Sequence, residues 1–158
     1  MFKANLQRGF SGAEILVTLS ILAFLFLVGT LSFNRNVAEK ELQSIADNIA
    51  AKMELAKSNA VTGKNGLNYG IKFNSSSYVY FTGSTYISTN QSNETTQISN
   101  KFQITNDIPG ADDAIIFSKI KGNINHSSAV TITISEISNA SSSIQLTIGK
   151  LGDVTMIK

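Results

Sequence analysis

The chain has 158 residues, of which 13 are basic and 11 acidic, and its formal net charge is +2. The basic residues are scattered along a nearly neutral chain, and the sequence shows neither a basic stripe nor interleaved aromatic residues, so we expect no direct nucleic-acid partner. The sequence has no cysteine and one histidine, His126. Disulfides, thiolate metal sites and histidine-cluster metal sites are thereby excluded, and we predict no metal and no other cofactor.

The chain opens with a short basic segment that is followed by a long apolar one. Lys3 and Arg8 are the charged side chains of residues 1–9, and Glu14 is the charged residue of 10–33. A helix that rises about 1.5 Å per residue over 10–33 crosses a hydrocarbon core of about 30 Å. Because basic residues favour the cytoplasmic side, we predict a single pass through the inner membrane, with the amino terminus inside and the later residues exported.

Glu14 predicts a functional role, because a carboxylate inside an apolar helix is costly. A basic leader that ends in Gly9, followed by Phe10 and by Glu14 as the fifth residue after Gly9, resembles the precursors of the type IV pilin and pseudopilin family. The resemblance implies that a prepilin peptidase cuts between Gly9 and Phe10 and methylates the new amino group of Phe10. It also implies that Glu14 pairs with the amine of a neighbour's Phe10 as subunits assemble at an inner-membrane platform, where an opposite charge replaces lost solvent.

Two features depart from that family's pattern. Gly12 and Ala13 replace the bulkier pair usual before the glutamate, and the helix lacks the proline that major pilins commonly carry. The alternative for this region is a secretory signal peptide or an unprocessed signal anchor, in which the Glu14 side chain reaches the interface between membrane and water. A signal peptide has a small-residue cleavage site after its apolar run, whereas residues 29–33 continue into a helical pattern without a break. The pattern therefore favours the pilin interpretation.

Residues 34–62 continue the helix as an amphipathic half. Their apolar residues recur at a mean spacing near 3.6, which is typical of one helical face. These residues are Ala38, Leu42, Ile45, Ile49, Met53, Ala56 and Ala60. No proline interrupts the passage from the apolar half, so we predict one helix that ends at about Val61, before the glycine-containing turn 62–66.

Residues 63–158 change to the alternating period of β-strands, which indicates an extracytoplasmic β domain. The sequence predicts a hairpin of 68–73 and 77–81, a possible third strand at 85–87, and an exposed loop over 88–101. A turn-rich link is expected at 107–113, and the later strands are predicted at 102–104, 115–120, 129–135, 143–148 and 154–157. A helix followed by hairpins predicts an α+β fold, with an antiparallel sheet laid over the amphipathic half of the long helix. The resemblance implies the same pilin-like fold, and 50–81 with the closing strands is most similar to minor pseudopilins of the GspH and FimT kind.

Few residues of the β domain suggest chemistry. His126 lies in a loop and is predicted to be solvated, and Asp112 and Asp113 follow Pro109 without the alternating oxygen ligands of a calcium loop, so a solvated turn is favoured. The tyrosines are interpreted as cross-strand pairs and partial core, while an exposed subset would serve adhesion or subunit contact. They are Tyr69, Tyr78, Tyr80 and Tyr86.

The sequence thus predicts a structural subunit rather than an enzyme. We expect a minor pilin or pseudopilin of a type IV pilus, a type II secretion pseudopilus or a DNA-uptake pilus. Its expected partners are the prepilin peptidase, other subunits, the assembly platform and the lipid bilayer. The alternative is a single-pass, membrane-anchored extracytoplasmic binding module whose signal anchor is retained.

Overall fold

The computed structural model describes residues 11–110 and 112–157, with residues 28–36 described by their backbone alone. The chain divides into two compact units, Met1–Ala38 and Glu39–Lys158. The predicted leader, 1–9, and Phe10 lie outside the described residues. The described part of the first unit is helical from Gly12 onward.

The helix α1 runs from Gly12 to Val61, so its predicted end is confirmed. Gly63 stops it because this glycine adopts the left-handed conformation, with φ of 66°. Its N–H donates to the carbonyl of Ala60 at 3.0 Å. A short 3-10 turn, Lys64–Gly66, then leads to the first strand.

The second unit buries one face of α1, which we call the apolar helix face. Ile45 was predicted for this face but is only partly buried, whereas Ala46 is fully buried. The prediction missed by one position because the 3.6-residue period places Ile45 and Ala46 near opposite edges of the same face. The apolar helix face comprises Leu42, Ala46, Ile49, Met53, Ala56 and Ala60.

In the part of the second unit that the structure describes, eight strands follow the helix, and every pair is antiparallel. One sheet has the order β3-β2-β1-β5 and the other has the order β4-β6-β7-β8. The predicted α+β class is confirmed, but the strands form two sheets rather than one. The strands are β1 Tyr69–Asn74, β2 Ser77–Thr82, β3 Glu94–Gln97, β4 Phe102–Asn106, β5 Ala114–Phe117, β6 Val130–Glu136, β7 Ser143–Ile148 and β8 Val154–Ile157.

Three details of the strand prediction were wrong. β3 lies inside the predicted loop 88–101, because its residues Glu-Thr-Thr-Gln form a polar edge strand that has no hydrophobic alternation. β5 ends at Phe117 rather than at residue 120. Ile120 has instead turned back to the helix, where its N–H donates to the carbonyl of Ala60 at 2.9 Å. The possible strand at 85–87 is a bend and coil.

The core lies between the helix and the two sheets. Side chains of both sheets join the apolar helix face in one buried cluster, with Phe73 and Ile115 from the first sheet and Ile132 and Leu146 from the second. Hydrophobic burial contributes about 25 cal/mol per Å² of apolar surface, so this shared cluster is the main source of stability for the unit. Lys52 adds a surface ion pair to Glu94 at 2.7 Å.

We expect a chain that begins near Arg35 to be soluble, monomeric and folded, because both sheets cover the apolar helix face. Circular dichroism and gel filtration test this expectation. Within that shortened chain, Ile49→Asp should lower the free energy of unfolding by about 3 to 5 kcal/mol, because it buries an unpaired charge.

Asn48→Asp is the matched control, since residue 48 is the exposed neighbour of Ile49 on the same helix. Urea unfolding should show little change for it. An aggregated shortened chain, or equal effects of the two substitutions, would mean that this helix face packs on something other than its own sheets.

Candidate functional site

The described residue of the predicted assembly site is Glu14, which lies in the first turn of α1. Its Oε2 accepts a hydrogen bond from the backbone N–H of Ser11 at 3.1 Å. In return, the backbone N–H of Glu14 donates to the Ser11 Oγ at 3.3 Å. This reciprocal pair is a capping box, in which a serine and a glutamate three residues later satisfy two of the backbone donors that a helix start leaves unpaired.

The capping box was missed in the sequence although its signal is present. Ser11-Gly12-Ala13-Glu14 has the Ser-x-x-Glu spacing directly before an apolar run. The carboxylate also lies at the positive end of the helix dipole, where a negative charge is favourable. The helix start therefore gives Glu14 a local role in addition to the predicted pairing between subunits.

The other residues of the predicted site are Lys3, Arg8, Gly9 and Phe10, and all lie outside the described residues. The predicted cut between Gly9 and Phe10, the methylation of Phe10 and the partner of Glu14 stay predictions.

In the first unit, the side chains of the apolar residues between Glu14 and residue 28 are exposed. Two hydroxyls among them are paired inside the helix. Thr18 Oγ1 donates to the carbonyl of Ile15 at 2.9 Å, and Ser20 Oγ donates to the carbonyl of Leu16 at 2.7 Å. Internal pairing of polar side chains suits a helix in apolar surroundings, where no water satisfies them.

Within the residues that the structure describes, no helix combines the length and the hydropathy needed to cross a membrane.

Three of the four tyrosines are buried, which confirms their core assignment. The rings of Tyr69 and Tyr80 stack across β1 and β2 at a centroid distance of 5.9 Å, and Tyr78 is also buried. The Nδ2 of Asn59 donates to the Tyr80 hydroxyl at 2.8 Å and so ties the helix to the first sheet. Tyr86 is half-buried and packs edge-on against a neighbouring phenylalanine.

His126 is half-buried rather than solvated, so that prediction was wrong. Its Nε2 lies 3.1 Å from the carbonyl oxygen of Ala114. The physical reason is that its neighbour Asn125 pairs with the edge of β5, where the Asn125 N–H donates to the carbonyl of Ile116 at 3.0 Å. Loop composition alone does not reveal this edge pairing.

The pair Asp112 and Asp113 contacts its neighbours through backbone carbonyls. The Asp112 carbonyl accepts from the Lys72 Nζ at 2.7 Å, and the Asp113 carbonyl accepts from the Phe73 N–H at 2.8 Å. Among residues 11–110 and 112–157, no group of three or more metal-ligating side chains comes together. The arrangement is that of a turn that leads into β5, beside the last residues of β1.

Solved structures with a similar fold come from two bacteria. The type IV minor pilin FimU of Pseudomonas aeruginosa matches with a TM-score of 0.60 and 16% identity, covering 75% of this chain and 90% of that one. The minor pseudopilin EpsH from the type 2 secretion system of Vibrio cholerae matches with a TM-score of 0.57 and 11% identity, covering 74% of this chain and 96% of that one. No family model and no curated protein sequence matches the chain. At these identities the likeness establishes the fold, which is that of type IV minor pilins and pseudopilins.

Burial raises the pKa of the Tyr80 hydroxyl above its ordinary value of 10.0, although the hydrogen bond from Asn59 acts in the opposite direction. Above about pH 10 the unfolded chain therefore loses this proton more readily than the folded protein does. The unfolded chain then binds fewer protons, so the free energy of unfolding should fall as the pH rises. We expect thermal unfolding of Tyr80→Phe to depend less steeply on pH in this alkaline range.

The test rests on how steeply thermal unfolding depends on pH, and not on stability at one pH. Tyr80→Phe also leaves Asn59 without its acceptor and so lowers stability at every pH. Tyr86→Phe, which removes a half-buried tyrosine hydroxyl elsewhere, is the control. Identical slopes for Tyr80→Phe and the unmodified protein would contradict the assignment.

Proposed function

We propose that this chain is a structural subunit, a minor pilin or pseudopilin, of a type IV pilus, a type II secretion pseudopilus or a DNA-uptake pilus. The observation that carries the proposal is the pilin-like fold of residues that follow a prepilin-like start, because fold and leader are independent features of one chain. The solved neighbours are named as a minor pilin and a minor pseudopilin, which supports assembly with other such subunits. The role is structural rather than enzymatic.

The proposed processing follows the sequence pattern. Residues 1–9 act as the leader, a prepilin peptidase cuts after Gly9, and the mature chain begins with N-methylated Phe10. Residues 10–33 then hold the subunit in the inner membrane, and 34–62 continue the helix beneath the β domain 63–158. The subunit later leaves the bilayer for an extracytoplasmic filament with the help of the assembly platform.

The geometry at the helix start supports a role for Glu14 in assembly. The capping box uses one of the two carboxylate oxygens of Glu14, and that carboxylate is exposed. A carboxylate accepts up to about four hydrogen bonds, so the other oxygen stays available for a cation. The amine of a neighbour's Phe10 is a cation of the right kind, because pairing compensates both charges away from water. The capping box thus holds the carboxylate in place and leaves it able to pair.

Processing should depend on Gly9. A residue without Cβ leaves room for the catalytic groups of the peptidase at the cut, so Gly9→Val is expected to leave uncut precursor in the membrane. Immunoblotting of membranes measures the ratio of precursor to mature chain. Gly12→Val makes the same chemical change three residues later, where an added Cβ meets nothing within 4 Å, and should be cut more completely. Normal cleavage of Gly9→Val would contradict the dependence of processing on Gly9.

Assembly should depend on the charge of Glu14 and not on the cap alone. Glu14→Gln removes the charge but keeps the capping box, because glutamine also serves at this position. Ser11→Ala keeps the charge and removes the cap, at a cost of about 1 kcal/mol to the helix. We expect normal cleavage of both variants, strongly reduced filament incorporation of Glu14→Gln, and near-normal incorporation of Ser11→Ala.

The measurement is the amount of processed subunit in sheared filaments. Wild-type incorporation of Glu14→Gln would refute the pairing role and favour the alternative in which Glu14 only reaches the interface between membrane and water. Equal losses for Ser11→Ala and Glu14→Gln would make the cap the essential element. Loss of cleavage in Glu14→Gln would instead assign this glutamate to peptidase recognition.

A further inference from the structure

Three chain segments meet where α1 ends, and we call the surface that they form the basic end. They are the last helical turn with its stop, 57–64, the turn 118–122 and the turn 149–153. The first two are joined by the hydrogen bond from the Ile120 N–H to the carbonyl of Ala60, at 2.9 Å. The basic end therefore has a fixed backbone framework.

The third segment is joined to the second by close backbone packing. The Ile124 N–H donates to the carbonyl of Lys150 at 3.1 Å. A Cβ added to Gly152 would lie 2.6 Å from the carbonyl oxygen of Gly122, which leaves no room between the two turns. The three segments therefore lie against one another at the end of α1.

The basic end concentrates positive charge. The structure describes all three segments in full, and they contain five lysines against one aspartate, Asp153, which leaves a net charge of +4. Among the described residues, no carboxylate lies within ion-pair distance of these lysines. The lysines are Lys57, Lys64, Lys119, Lys121 and Lys150.

Large apolar side chains stand exposed among these lysines. Ile120 is 73% exposed and lies between Lys119 and Lys121, and Leu151 is 66% exposed and follows Lys150. A soluble surface gains nothing from presenting such residues side by side with lysines, whereas an interface between water and an apolar phase does.

Ile120 is also strained. Its φ of 70° lies in the left-handed region, where a β-branched residue is a clear outlier. Burial of the side chain does not compensate for this strain, because the side chain faces solvent. Outliers of this kind cluster where a protein binds or acts, so the strained and exposed isoleucine points to a function at the basic end.

We propose that the basic end binds the surface of a bilayer rich in anionic lipid. The lysines attract the lipid phosphates, and Ile120 and Leu151 enter the boundary between headgroups and acyl chains. Nucleic acid is a weaker fit, because the three segments carry no arginine and no aromatic side chain to contact bases. This activity goes beyond the proposed structural role and does not depend on it.

The test uses the purified full chain held in phosphatidylcholine nanodiscs, to which vesicles are added. Binding is measured by co-flotation with vesicles of phosphatidylcholine and phosphatidylglycerol at a 3:1 ratio, and with vesicles of phosphatidylcholine alone. We expect binding to the anionic vesicles only. Replacing both Lys119 and Lys121 by Gln should weaken binding to the anionic vesicles roughly 10- to 30-fold, since the two lysines each strengthen binding to an anionic surface by a similar factor.

Two matched controls distinguish binding at the basic end from a general effect of lysine charge and from a general effect of exposed isoleucine side chains. Replacing both Lys40 and Lys101 by Gln removes the same charge from other exposed positions and should leave vesicle binding unchanged. Ile120→Gly should weaken vesicle binding while thermal stability stays equal or rises, because glycine adopts a positive φ without strain. Ile137→Gly, at an isoleucine that is 59% exposed, should not affect binding.

Four results would overturn the proposal. Equal binding to both vesicle types, or equal effects of the two lysine pairs, would show that the basic end is not an anionic-lipid site. Self-association in analytical ultracentrifugation that the Lys119 and Lys121 changes abolish, without vesicle binding, would identify a second copy as the partner. Binding to a double-stranded DNA oligonucleotide that Ile120→Gly leaves intact, without vesicle binding, would identify a nucleic acid.

Discussion

Burial of the apolar helix face is the interaction on which the second unit depends. The first sheet and the second sheet share no strand, yet both contribute side chains to the one buried cluster that contains Ile49 and Met53 of the helix. Full burial of one such side chain contributes about 1.5 to 3 kcal/mol, and the net stability of a domain is only about 5 to 15 kcal/mol. A chain without disulfides thus obtains its stability from one helix that two sheets cover. The basic end lies where Gly63 stops this helix before β1 begins.

The two ends of the helix pose different physical problems. At its start, Glu14 is a charge in an apolar sequence, and the capping box gives the carboxylate a backbone partner within its own chain. At its end, Ile120 is an apolar side chain in a basic surface, held by a hydrogen bond to the helix in a strained conformation. In both places a residue breaks the local pattern of its surroundings, and such residues are where function is expected.

Much of the fold follows from the sequence because its signals are periodic. The end of α1, the hairpin β1–β2 and the strands β6, β7 and β8 all follow from helical or alternating patterns and a glycine stop. The polar strand β3 and the division into two sheets do not, because pairing at an edge and the choice of partner are set by tertiary contacts. At the candidate site, the Ser-x-x-Glu signal of the capping box was readable in the sequence. The basic end was not, because Lys57, Lys121 and Lys150 are far apart along the chain and meet only through the fold.

The proposed function requires that the chain is cut after Gly9 and enters a filament through its new amino terminus. Mass spectrometry of the amino-terminal peptide, on protein recovered from cells that contain a prepilin peptidase, shows where the chain is cut. We predict a mature chain that begins with N-methylated Phe10. An intact Met1 in those cells would contradict it and would leave a membrane-anchored binding module as the better explanation of the same fold.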